Sequence, residues 1–441
     1  MSLAQRLRAP VDAASLIAFR VLFGLLMFGA ILRTWQKGIV SHAFVEPTYF
    51  FPYYGFAWIR SPGFYGYWLY GALAVLALGI ALGLYTRVAA ALFCLLFTYA
   101  HFVDVTNYLN HYYLVTLLTG LLAVVPLHEA LGPSSLRETP SFATLRRALA
   151  PTWVLWLFRF QFGAAYFFGG VSKLKHDWLF LAQPLRTWLP ANTDVPLIGS
   201  LFRQTWTAYA FSWLGAVYDL TITFALLYRR TRPYAYLAVV FFHLMTARLF
   251  QIGLFPYLMI VGSLLFLAPE WPRRLLRLAP ASSTRASFPW GPWQYVPLSL
   301  YVLVQVLMPL RHWLYPGSVV WTEQGYRFSW NVMLIEKTGT ARFRIVDRST
   351  GQSRTVSPRS LLTRWQNKAM ATQPDMILAF AHELAERAQA EGRDVAVFAD
   401  VFVVLNGRAP QRLVDPNVDL SREQEGFGNK RWILPLASSA R

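Results

Sequence analysis

Long apolar runs recur along most of this chain, and they limit the folds open to it more than any other feature of the sequence. A helix needs about 20 predominantly apolar residues to cross the hydrocarbon core of a bilayer. Nine runs near that length occupy residues 13–32, 66–85, 88–104, 111–127, 153–171, 207–228, 234–249, 252–268 and 293–310. We therefore predict a polytopic α-helical membrane protein with about nine transmembrane helices, or eight if the seventh and eighth runs form one helix.

The charge of the chain fits this prediction. Charged residues make up only 14% of the sequence, against about 25% in soluble proteins. The net charge of +19 suggests a nucleic-acid partner at first sight. Much of the excess, however, lies in short loops between apolar runs, where basic residues set topology and meet anionic lipid. We therefore expect these basic residues to contact the lipid bilayer, and we expect no nucleic-acid partner.

The loops also predict an orientation, because cytoplasmic loops of membrane proteins carry the excess of Lys and Arg. With the N-terminus inside, the inner segments hold Arg6, Arg8, Arg87, Arg137, Arg146, Arg147, Arg229, Arg230, Arg232, Arg273, Arg274, Arg277 and Arg285. The outer segments are longer and poorer in basic residues. We expect an integral protein, of the bacterial inner membrane, with a cytoplasmic N-terminus and a periplasmic or lumenal C-terminal domain.

Residues 34–65 are aromatic and rich in Pro and Gly, and they are too broken for a spanning helix. Trp and Tyr favour the membrane interface, so we expect this segment to lie along the outer interface as a short lid. Residues 184–190 have a similar character.

The composition changes after Arg311, and we divide the chain there into a transmembrane domain, 1–311, and an outer-side domain, 312–441. Apolar and β-branched stretches predict strands at Val319–Trp321, Ala341–Arg348, Ser353–Val356 and Val395–Leu405, the middle two forming a hairpin. Residues 371–391 carry apolar residues at helical spacing, namely Met376, Ile377, Phe380, Leu384 and Ala388. These elements predict a small α+β domain outside the membrane.

The stretch Tyr166–Trp178 carries the strongest indication of chemistry. It runs from an apolar aromatic segment through two glycines into Lys173, Lys175, His176 and Asp177. A lysine at such a position meets little water, and desolvation favours the neutral amine, which is the basic form. A snorkelling lysine pair at the membrane interface is the ordinary alternative, and the residues alone leave both interpretations open.

Ionisable residues inside apolar runs are the other functional candidates, since each costs about 2.5–3.5 kcal/mol to insert. They are Arg20, His101, Asp104, His111, Arg159, Asp219, His243 and Arg248. For Arg159 and Asp219 we favour a structural ion pair between the two.

Several common kinds of active site lack support in this sequence. The eight histidines are scattered, so we expect no metal site. Neither a Gly-x-Ser-x-Gly motif nor a Gly-rich phosphate loop is present, which argues against serine hydrolysis and nucleotide chemistry. The single cysteine, Cys94, lies in an apolar run, which is typical of inert packing. A lysine and histidines in an aromatic cavity suit an apolar ring substrate such as a quinone, although a transporter or a lipid-binding scaffold would have a similar composition.

Seven stretches of the sequence, taken in order, point to a known family. They are Ala18–Gly24, Tyr108–Leu114, Tyr166–Trp178, Phe242–Phe255, Ala268–Arg274, Tyr326–Met333 and Val404–Pro416. By these stretches, which span nearly the whole chain, the sequence resembles the vitamin K-dependent γ-glutamyl carboxylase family and its bacterial homologues, the HTTM group. One stretch alone would carry little weight, but seven in the family's order are specific.

The resemblance implies a membrane enzyme, a carboxylase of the carbon–carbon lyase class with vitamin K epoxidase activity. The family's active-site lysine matches Lys173 and, as a neutral amine, deprotonates reduced vitamin K. The hydroquinone anion reacts with O2 to give a strong base that removes a γ-proton from a peptide glutamate. The carbanion takes up CO2 to form γ-carboxyglutamate, and the quinone leaves as the 2,3-epoxide. The hydroquinone, O2 and CO2 are thus the implied cosubstrates, without a metal.

The resemblance also implies roles for residues around Lys173. The histidine that matches His111 is the second catalytic candidate, because it would hydrogen-bond the quinone or an intermediate and orient it. Tyr166 and Trp178 are candidates for contact with the quinone. Water would quench so strong a base, so the chemistry needs a closed, dry aromatic site.

Binding of the glutamate substrate is assigned to a second group of residues. His243 and Arg248 lie in a matching stretch, and we expect them to line the cavity or to anchor a carboxylate, which Arg can bind with two hydrogen bonds. The alternative for His243 and Arg248 is a structural role, either in packing or as a charge at the end of a helix. Asn110 and Tyr112, on either side of His111, complete the substrate-binding candidates.

Two features depart from the animal enzymes of this family. Animal members join their membrane and lumenal parts with a disulfide, which a chain with one cysteine cannot form. Ser172 stands where those enzymes have the first of two lysines before the leucine. Two other functions stay open, namely a naphthoquinone epoxidase or oxygenase without peptide carboxylation, and a non-catalytic membrane protein for binding or transport.

Overall fold

The computed structural model describes residues 2–125, 149–279 and 295–437. Along the chain, a helical part is followed by a smaller part with a four-stranded sheet. The loop residues Arg137, Arg146, Arg147 and Arg285, which entered the predicted orientation, lie outside the described residues.

The helices of the first part agree with the predicted apolar runs. They are α1 (Leu3–Arg8), α2 (Ala14–Gln36), α3 (Ile39–Phe44), α4 (Gly66–Leu82), α5 (Thr86–Phe102), α6 (Asn110–Val124), α7 (Thr152–Lys173), α8 (His176–Leu181), α9 (Leu185–Trp188), α10 (Thr205–Leu227), α11 (Arg232–Leu249), α12 (Phe255–Ser263), α13 (Trp271–Leu275) and α14 (Tyr295–Leu310). Every predicted run contains one of these helices in its described part. The five short helices α1, α3, α8, α9 and α13 lie outside the runs, so apolar length alone located the long helices but not these.

The number of membrane spans is a separate question. Within the described ranges, four helices are long and apolar enough to cross a membrane, at Ala14–Gln36, Gly63–Leu82, Thr152–Lys173 and Thr205–Leu227. Three more are apolar but shorter, at Thr86–Phe102, Asn110–Val124 and Phe255–Phe266. At a rise of 1.5 Å per residue, the 17 residues of α5 reach about 26 Å, near the lower limit for a hydrocarbon core of about 30 Å. A mostly helical chain with candidate spans is confirmed, and the count of nine is not.

Small residues let α2 and α4 cross closely. A Cβ built on Gly24 of α2 would lie 2.6 Å from the backbone nitrogen of Ala81 and 2.7 Å from the carbonyl oxygen of Ala77, both on α4. Backbone atoms cannot turn aside as the end of a flexible side chain can, so this crossing requires glycine. Close approach of backbones at small residues is a common way for membrane helices to associate.

A two-stranded sheet ties the beginning of α2 to the beginning of α7. Its strands are β1 (Pro10–Asp12) and β2 (Leu149–Pro151), which pair antiparallel. Asp12 of β1 also accepts a hydrogen bond from Nε of Arg273, at 2.5 Å and largely buried. These contacts hold the N-terminal ends of α2 and α7 at one end of the helical part.

The second part is built on an antiparallel sheet in the order β4-β3-β5-β6. The strands are β3 (Lys337–Asp347), β4 (Ser353–Val356), β5 (Val395–Leu405) and β6 (Gln411–Arg412). The three helices of this part are α15 (Val319–Thr322), α16 (Arg364–Met370) and α17 (Pro374–Ala390). The predicted hairpin, the strand over 395–405 and the helix are confirmed. The predicted helix starts three residues later than expected, at Pro374, because proline is favoured in the first turn.

The prediction of a strand at Val319–Trp321 is wrong, because these residues begin the short helix α15. The backbone nitrogens of Trp321 and Thr322 donate to the carbonyl oxygen of Ser318 at 2.9 and 3.0 Å. The hydrogen bonds therefore close locally, and the buried indole of Trp321 donates to the carbonyl oxygen of Leu434 at 2.8 Å. Tertiary packing overrides the weak β propensity of two valines in so short a segment.

The aromatic segment 34–65 connects the two parts of the chain. Phe51 is fully buried, and its carbonyl oxygen accepts a hydrogen bond from the backbone nitrogen of Val105 at 2.9 Å. The hydroxyl of Tyr49 donates to the carbonyl oxygen of Ala379 on α17 at 3.2 Å. The segment thus packs against the C-terminal helices, and its predicted role as a lid at the membrane surface stays a prediction.

A largely buried ion pair joins α8 to the C-terminal sheet. Arg408, just after β5, donates to both carboxylate oxygens of Asp177 at 2.7 and 2.5 Å, and Asn406 donates to the same carboxylate at 2.9 Å. Burial alone would raise the pKa of Asp177, but the hydrogen bonds from Arg408 and Asn406 outweigh burial and hold this pKa below its usual range. The carboxylate therefore links the two parts of the chain without a disulfide.

Replacing Arg408 by alanine is expected to lower the free energy of unfolding by about 2 kcal/mol, because it removes charge-assisted hydrogen bonds and leaves a largely buried carboxylate unpaired. The folded-state pKa of Asp177 is depressed, so the stability from this pair is fully present above about pH 4, the ordinary aspartate value. It is lost as the pH falls through the folded-state value. Thermal unfolding in detergent, measured as a function of pH, should show wild type and variant converging in acid.

The matched control is Arg412→Ala. The pair between Arg412 and Asp400 is exposed, at 42% and 46% of the two side chains, and exposed pairs contribute about 0–1 kcal/mol. Equal losses for the two variants, or a loss in Arg408→Ala that does not depend on pH, would contradict the linking role of Asp177.

Candidate active site

Glycines in α7 let this helix pack closely against α10. A Cβ on Gly170 would lie 2.8 Å from the backbone nitrogen of Leu220, and a Cβ on Gly163 would lie 2.9 Å from Cγ2 of Thr223. Side chains at these positions would push the two helices apart. The close crossing brings Lys173, the last residue of α7, next to α10.

Lys173 forms a buried ion pair with Asp219 of α10. Its Nζ donates to Oδ2 of Asp219 at 2.7 Å and to the carbonyl oxygen of Gly169 at 3.2 Å. The same nitrogen lies 5.3 Å from the centre of the Trp178 ring, within the range of a cation–π contact. Only 6% of Lys173 and 8% of Asp219 is exposed, so this position does not agree with a snorkelling lysine.

The predicted ion pair between Arg159 and Asp219 is wrong. Arg159 donates instead to the carbonyl oxygens of Leu265 and Leu267, at 2.8 and 3.2 Å. Both Arg159 and Lys173 lie on α7, but they are 14 residues apart, which is about 20 Å along a helix axis. Only Lys173 lies at the level of Asp219.

Lys173 and Asp219 line one pocket of the helical part. Tyr166, His243 and Thr246 supply its other polar side chains. Much of the remaining wall is aromatic or apolar, and it includes Trp178, Phe211, Phe242, Phe250, Phe255 and Met259. Small-molecule sites are mostly apolar with a few placed polar groups. The pocket therefore suits a flat apolar ring that presents a polar group to Lys173.

His243 of α11 faces the pocket with one ring nitrogen unsatisfied. Its Nε2 lies 2.9 Å from the hydroxyl oxygen of Tyr166, which is also 3.3 Å from Oγ of Ser263. Its Nδ1 is buried and has no hydrogen-bond partner among the described residues. Such a group is costly to leave unpaired, so it is available to a bound molecule. Tyr166, Trp178 and His243 thus line the same pocket as Lys173, and their binding roles stay predictions.

His111, at the start of α6, lies outside the pocket wall. Its ring is buried and lies 6.2 Å, between ring centres, from Phe255, which does line the pocket. His111 therefore packs next to a residue of the wall and does not line the pocket itself. The catalytic role of His111 stays a prediction.

The two neighbours of His111 also lie outside the wall. Asn110 donates to the carbonyl oxygen of Asn331 at 3.0 Å, and the ring of Tyr112 stacks on His101 with ring centres 4.2 Å apart. Asn331 directly precedes two residues of the pocket wall, Val332 and Met333. Asn110 therefore supports the wall from behind, and its substrate-binding role, like that of Tyr112, stays a prediction.

Arg248 is the predicted site residue that lies furthest from expectation. Its side chain is 49% exposed, and its Nη2 lies 2.7 Å from Oδ2 of Asp194. It follows Thr246, a residue of the pocket wall, by two positions, which is about half a turn and turns it to the other face of α11. A role in lining the cavity does not agree with this position, and its role as a carboxylate anchor stays a prediction.

Lys175 is a second amine near the site, but it does not line the pocket. Its Nζ donates to the carbonyl oxygen of Ser172 at 2.8 Å and to Oδ1 of Asn331 at 3.4 Å. Burial, and then the nearby Lys173, lower the pKa of Lys175 to about 8. Experiments on Lys173 therefore need Lys175 as a comparison.

Sequence reasoning missed Asp219 as the partner of Lys173. The available signal was the presence of an ionisable residue inside an apolar run, which marked Asp219 as a candidate. The two residues are 46 positions apart, and the sequence does not indicate which faces of two helices meet. Across residues 2–125, 149–279 and 295–437, no group of three His, Cys, Asp or Glu side chains is arranged to hold a metal ion, and metal-free chemistry stays a prediction.

Comparison with known proteins identifies the family. The model of the HTTM domain matches residues 8–271, more than half of the chain. The model of the vitamin K-dependent gamma-carboxylase, lumenal domain, matches residues 291–439. No solved structure matches the chain. The HTTM and lumenal domains, together with the apolar helices, indicate an integral membrane protein and an enzyme, and the resemblance predicted from the sequence is confirmed. The chain belongs to the vitamin K-dependent gamma-carboxylase family, with an HTTM domain followed by the lumenal domain.

Proposed function

We propose that this protein is a membrane enzyme that couples oxygenation of reduced vitamin K, to the 2,3-epoxide, with carboxylation of a peptide glutamate to γ-carboxyglutamate. It would thus be a carboxylase of the carbon–carbon lyase class with vitamin K epoxidase activity. One observation carries the proposal. The buried Nζ of Lys173 lies on the wall of a pocket that is lined mostly by aromatic and apolar side chains.

Lys173 would act as the base of the first step, by accepting the proton of a hydroquinone hydroxyl. Once bound and deprotonated, the hydroquinone would react with O2, and this reaction would give the strong base that deprotonates the glutamate. The aromatic wall excludes water, which would otherwise protonate that base. The ring of Trp178 contacts Nζ of Lys173 from one side. The Tyr166 hydroxyl orients the ring of His243, whose Nδ1 would bind a quinone oxygen.

His111, Asn110 and Tyr112 would act from behind the wall. His111 packs against Phe255 of the wall. Asn110 holds the backbone of Asn331, next to Val332 and Met333 of the wall. These contacts support roles in positioning the wall against the substrate rather than in the bond changes themselves.

The membrane arrangement follows from the same proposal. We infer about nine spans, a cytoplasmic N-terminus in a bacterial inner membrane, and a boundary near residue 311 between the transmembrane domain, 1–311, and a periplasmic or lumenal domain, 312–441. The end of α7 would then face the outer side, where the peptide substrate arrives. The basic loop residues predicted to lie inside support this orientation.

Incubation of the purified protein with reduced vitamin K, O2, labelled CO2 and a Glu-rich peptide tests the function. Epoxide together with labelled peptide is the expected result. Epoxide without label would identify a naphthoquinone epoxidase that does not carboxylate peptides. Neither product, from folded protein, would favour a non-catalytic membrane protein for binding or transport and would contradict the proposal.

One observation favours the epoxidase alternative. Arg248, the predicted anchor for a glutamate carboxylate, is exposed and paired with Asp194 instead of lining the pocket. Peptide carboxylation therefore requires Arg248 to act at the entrance of the pocket or another cation to replace it. Oxygenation of the quinone requires only the pocket and Lys173.

Replacing Arg248 by alanine is expected to raise the KM for peptide about tenfold, which corresponds to about 1.4 kcal/mol, and to leave the KM for the hydroquinone unchanged. The reason is that Arg248 would bind the peptide carboxylate and does not touch the quinone pocket. The matched control is Asp194→Asn, which frees the Arg248 side chain and is expected to lower the peptide KM. Steady-state kinetics with each substrate varied measures both, and an unchanged peptide KM in Arg248→Ala would exclude a substrate contact.

A further inference from the structure

The ion pair between Lys173 and Asp219 bears on how an amine in this pocket can act as a base. The pair is buried, and one hydrogen bond of 2.7 Å joins Nζ to Oδ2. The described residues within hydrogen-bond distance of Nζ are Asp219 and Gly169. An ammonium beside a carboxylate has no free lone pair, so it cannot accept a proton until it has released one.

The carboxylate is the group that can receive this released proton. Asp219 accepts one side-chain hydrogen bond, from Lys173, among the described residues. It lies on α10, whose close crossing with α7 is held by glycines at 163 and 170. The donor and the acceptor are therefore held together by packed helices and do not depend on a mobile loop.

We propose that the pair formed by Lys173 and Asp219, rather than a lone amine, is the base of this site, with Asp219 as the final acceptor of the hydroquinone proton. The proposal rests on the function proposed above. Lys173 is the residue that touches the substrate, and Asp219 is a positioning residue that acts through Lys173.

The proton balance of this step is simple. The O–H bond of the hydroquinone breaks and its proton forms a new N–H bond on Nζ, while another N–H bond of Lys173 breaks and its proton forms an O–H bond on Oδ2. Lys173 is an ammonium before and after the step. Asp219 changes from carboxylate to carboxylic acid, and the hydroquinone becomes its anion. No oxidant or metal is required for this transfer.

The charge balance favours the pair over a lone amine. A neutral amine that deprotonates a neutral hydroquinone creates two opposite charges in a site with little water, and desolvated charges are costly. With Asp219 present, the negative charge moves from the carboxylate to the substrate oxygen, and the positive charge on Lys173 stays in place. The number of buried charges is the same before and after the step.

Asp219→Asn separates the two models of the base. If Lys173 acts alone, removing the carboxylate leaves the amine free of its partner, and epoxidation should persist or increase. If the pair is the base, kcat for epoxide formation should fall by about 10²–10⁴, the usual contribution of acid–base groups, with the KM for hydroquinone within about threefold of wild type. Asp219→Glu keeps the acceptor and should recover at least a tenth of the wild-type kcat.

A second measurement does not depend on turnover. Difference infrared spectra, recorded without O2 as reduced vitamin K is added, should show a new carboxylic-acid C=O band in wild type that is absent in Asp219→Asn. Asp400→Asn, at the exposed pair with Arg412, is the control and should keep the band and the activity. Thermal unfolding verifies that each variant is folded, since an unpaired buried lysine is destabilising.

The outcomes separate this inference from the proposed function. Wild type without epoxide or carboxylated product overturns the function, and the inference with it. Wild type with turnover, together with Asp219→Asn at near wild-type kcat or with the infrared band intact, overturns the inference alone. Epoxidation that survives in Lys173→Ala would also overturn it, because the carboxylate would then be the direct base.

Discussion

Replacing Lys173 by alanine is expected to reduce epoxide formation by a factor of about 10²–10⁴, the range for loss of an acid–base group, and to remove carboxylation with it. The reason is that, in the proposed mechanism, Lys173 is the residue on the pocket wall that takes the proton from the hydroquinone hydroxyl. Lys173→Ala also leaves Asp219 buried without its partner, so this variant is expected to be less stable. Product assays on purified protein, with thermal unfolding as a check on folding, measure both effects.

Two further variants make the result specific to the amine. Lys173→Arg keeps a positive charge beside Asp219, but a guanidinium does not lose its proton in proteins, so this variant should be folded and inactive. Lys175→Ala removes the neighbouring amine, which contacts Ser172 and Asn331 rather than the pocket, and should retain activity. Turnover near the wild-type rate in Lys173→Arg, or loss of turnover only in Lys175→Ala, would remove Lys173 from its role.

Replacing Gly24 by alanine is expected to have the largest effect on stability, a loss of about 1–3 kcal/mol, the usual cost of overpacking. Its new Cβ would lie 2.6 and 2.7 Å from backbone atoms of Ala81 and Ala77, which belong to the neighbouring helix α4. The two helices must separate to accept it, and the side chains packed between them lose contact. The midpoint of thermal unfolding in detergent is the measurement.

Gly29, on the same helix α2, provides the matched control. A Cβ there would meet nothing within 4 Å, and alanine is favoured over glycine inside a helix by about 1 kcal/mol. Gly29→Ala should therefore be neutral or slightly stabilising. A similar loss of stability in both variants would mean that the close crossing of α2 with α4 is not the reason for the loss in Gly24→Ala.

Local patterns were sufficient where the physical cause is local. The apolar runs marked the positions of the helices, since a run that is apolar on all sides can only be buried or in lipid. Strand-like stretches joined by turn residues indicated the hairpin of β3 and β4. Apolar residues at the helical spacing of 3.6 residues indicated α17. The same reasoning failed at Val319–Trp321, because a segment of three or four residues is decided by what its side chains pack against.

The sequence predicted only part of the candidate site, because only some of its residues lie close together on the chain. Lys173 stood out because a lysine after an aromatic run and two glycines is unusual, and Tyr166 and Trp178 lie close to it on the chain. Arg248 was assigned to the cavity from its stretch, but its position two residues after Thr246 turns it to the other face of α11. An ion pair between Asp219 and Arg159 was predicted because the residue types are of opposite charge. Residue type does not indicate whether two side chains lie at the same level of neighbouring helices.

The amino-acid sequence by itself determined the membrane character of this protein, the positions of its long helices and the choice of Lys173 as the candidate base, because these follow from polarity and spacing along one chain. Only the tertiary structure decided that Lys173 meets Asp219, that His243 shares their pocket and that Arg248 does not. Those contacts depend on how far each helix is rotated and shifted against its neighbour. Rotation and shift are set by close contacts such as those of Gly24 and Gly170, which involve residues far apart in the sequence.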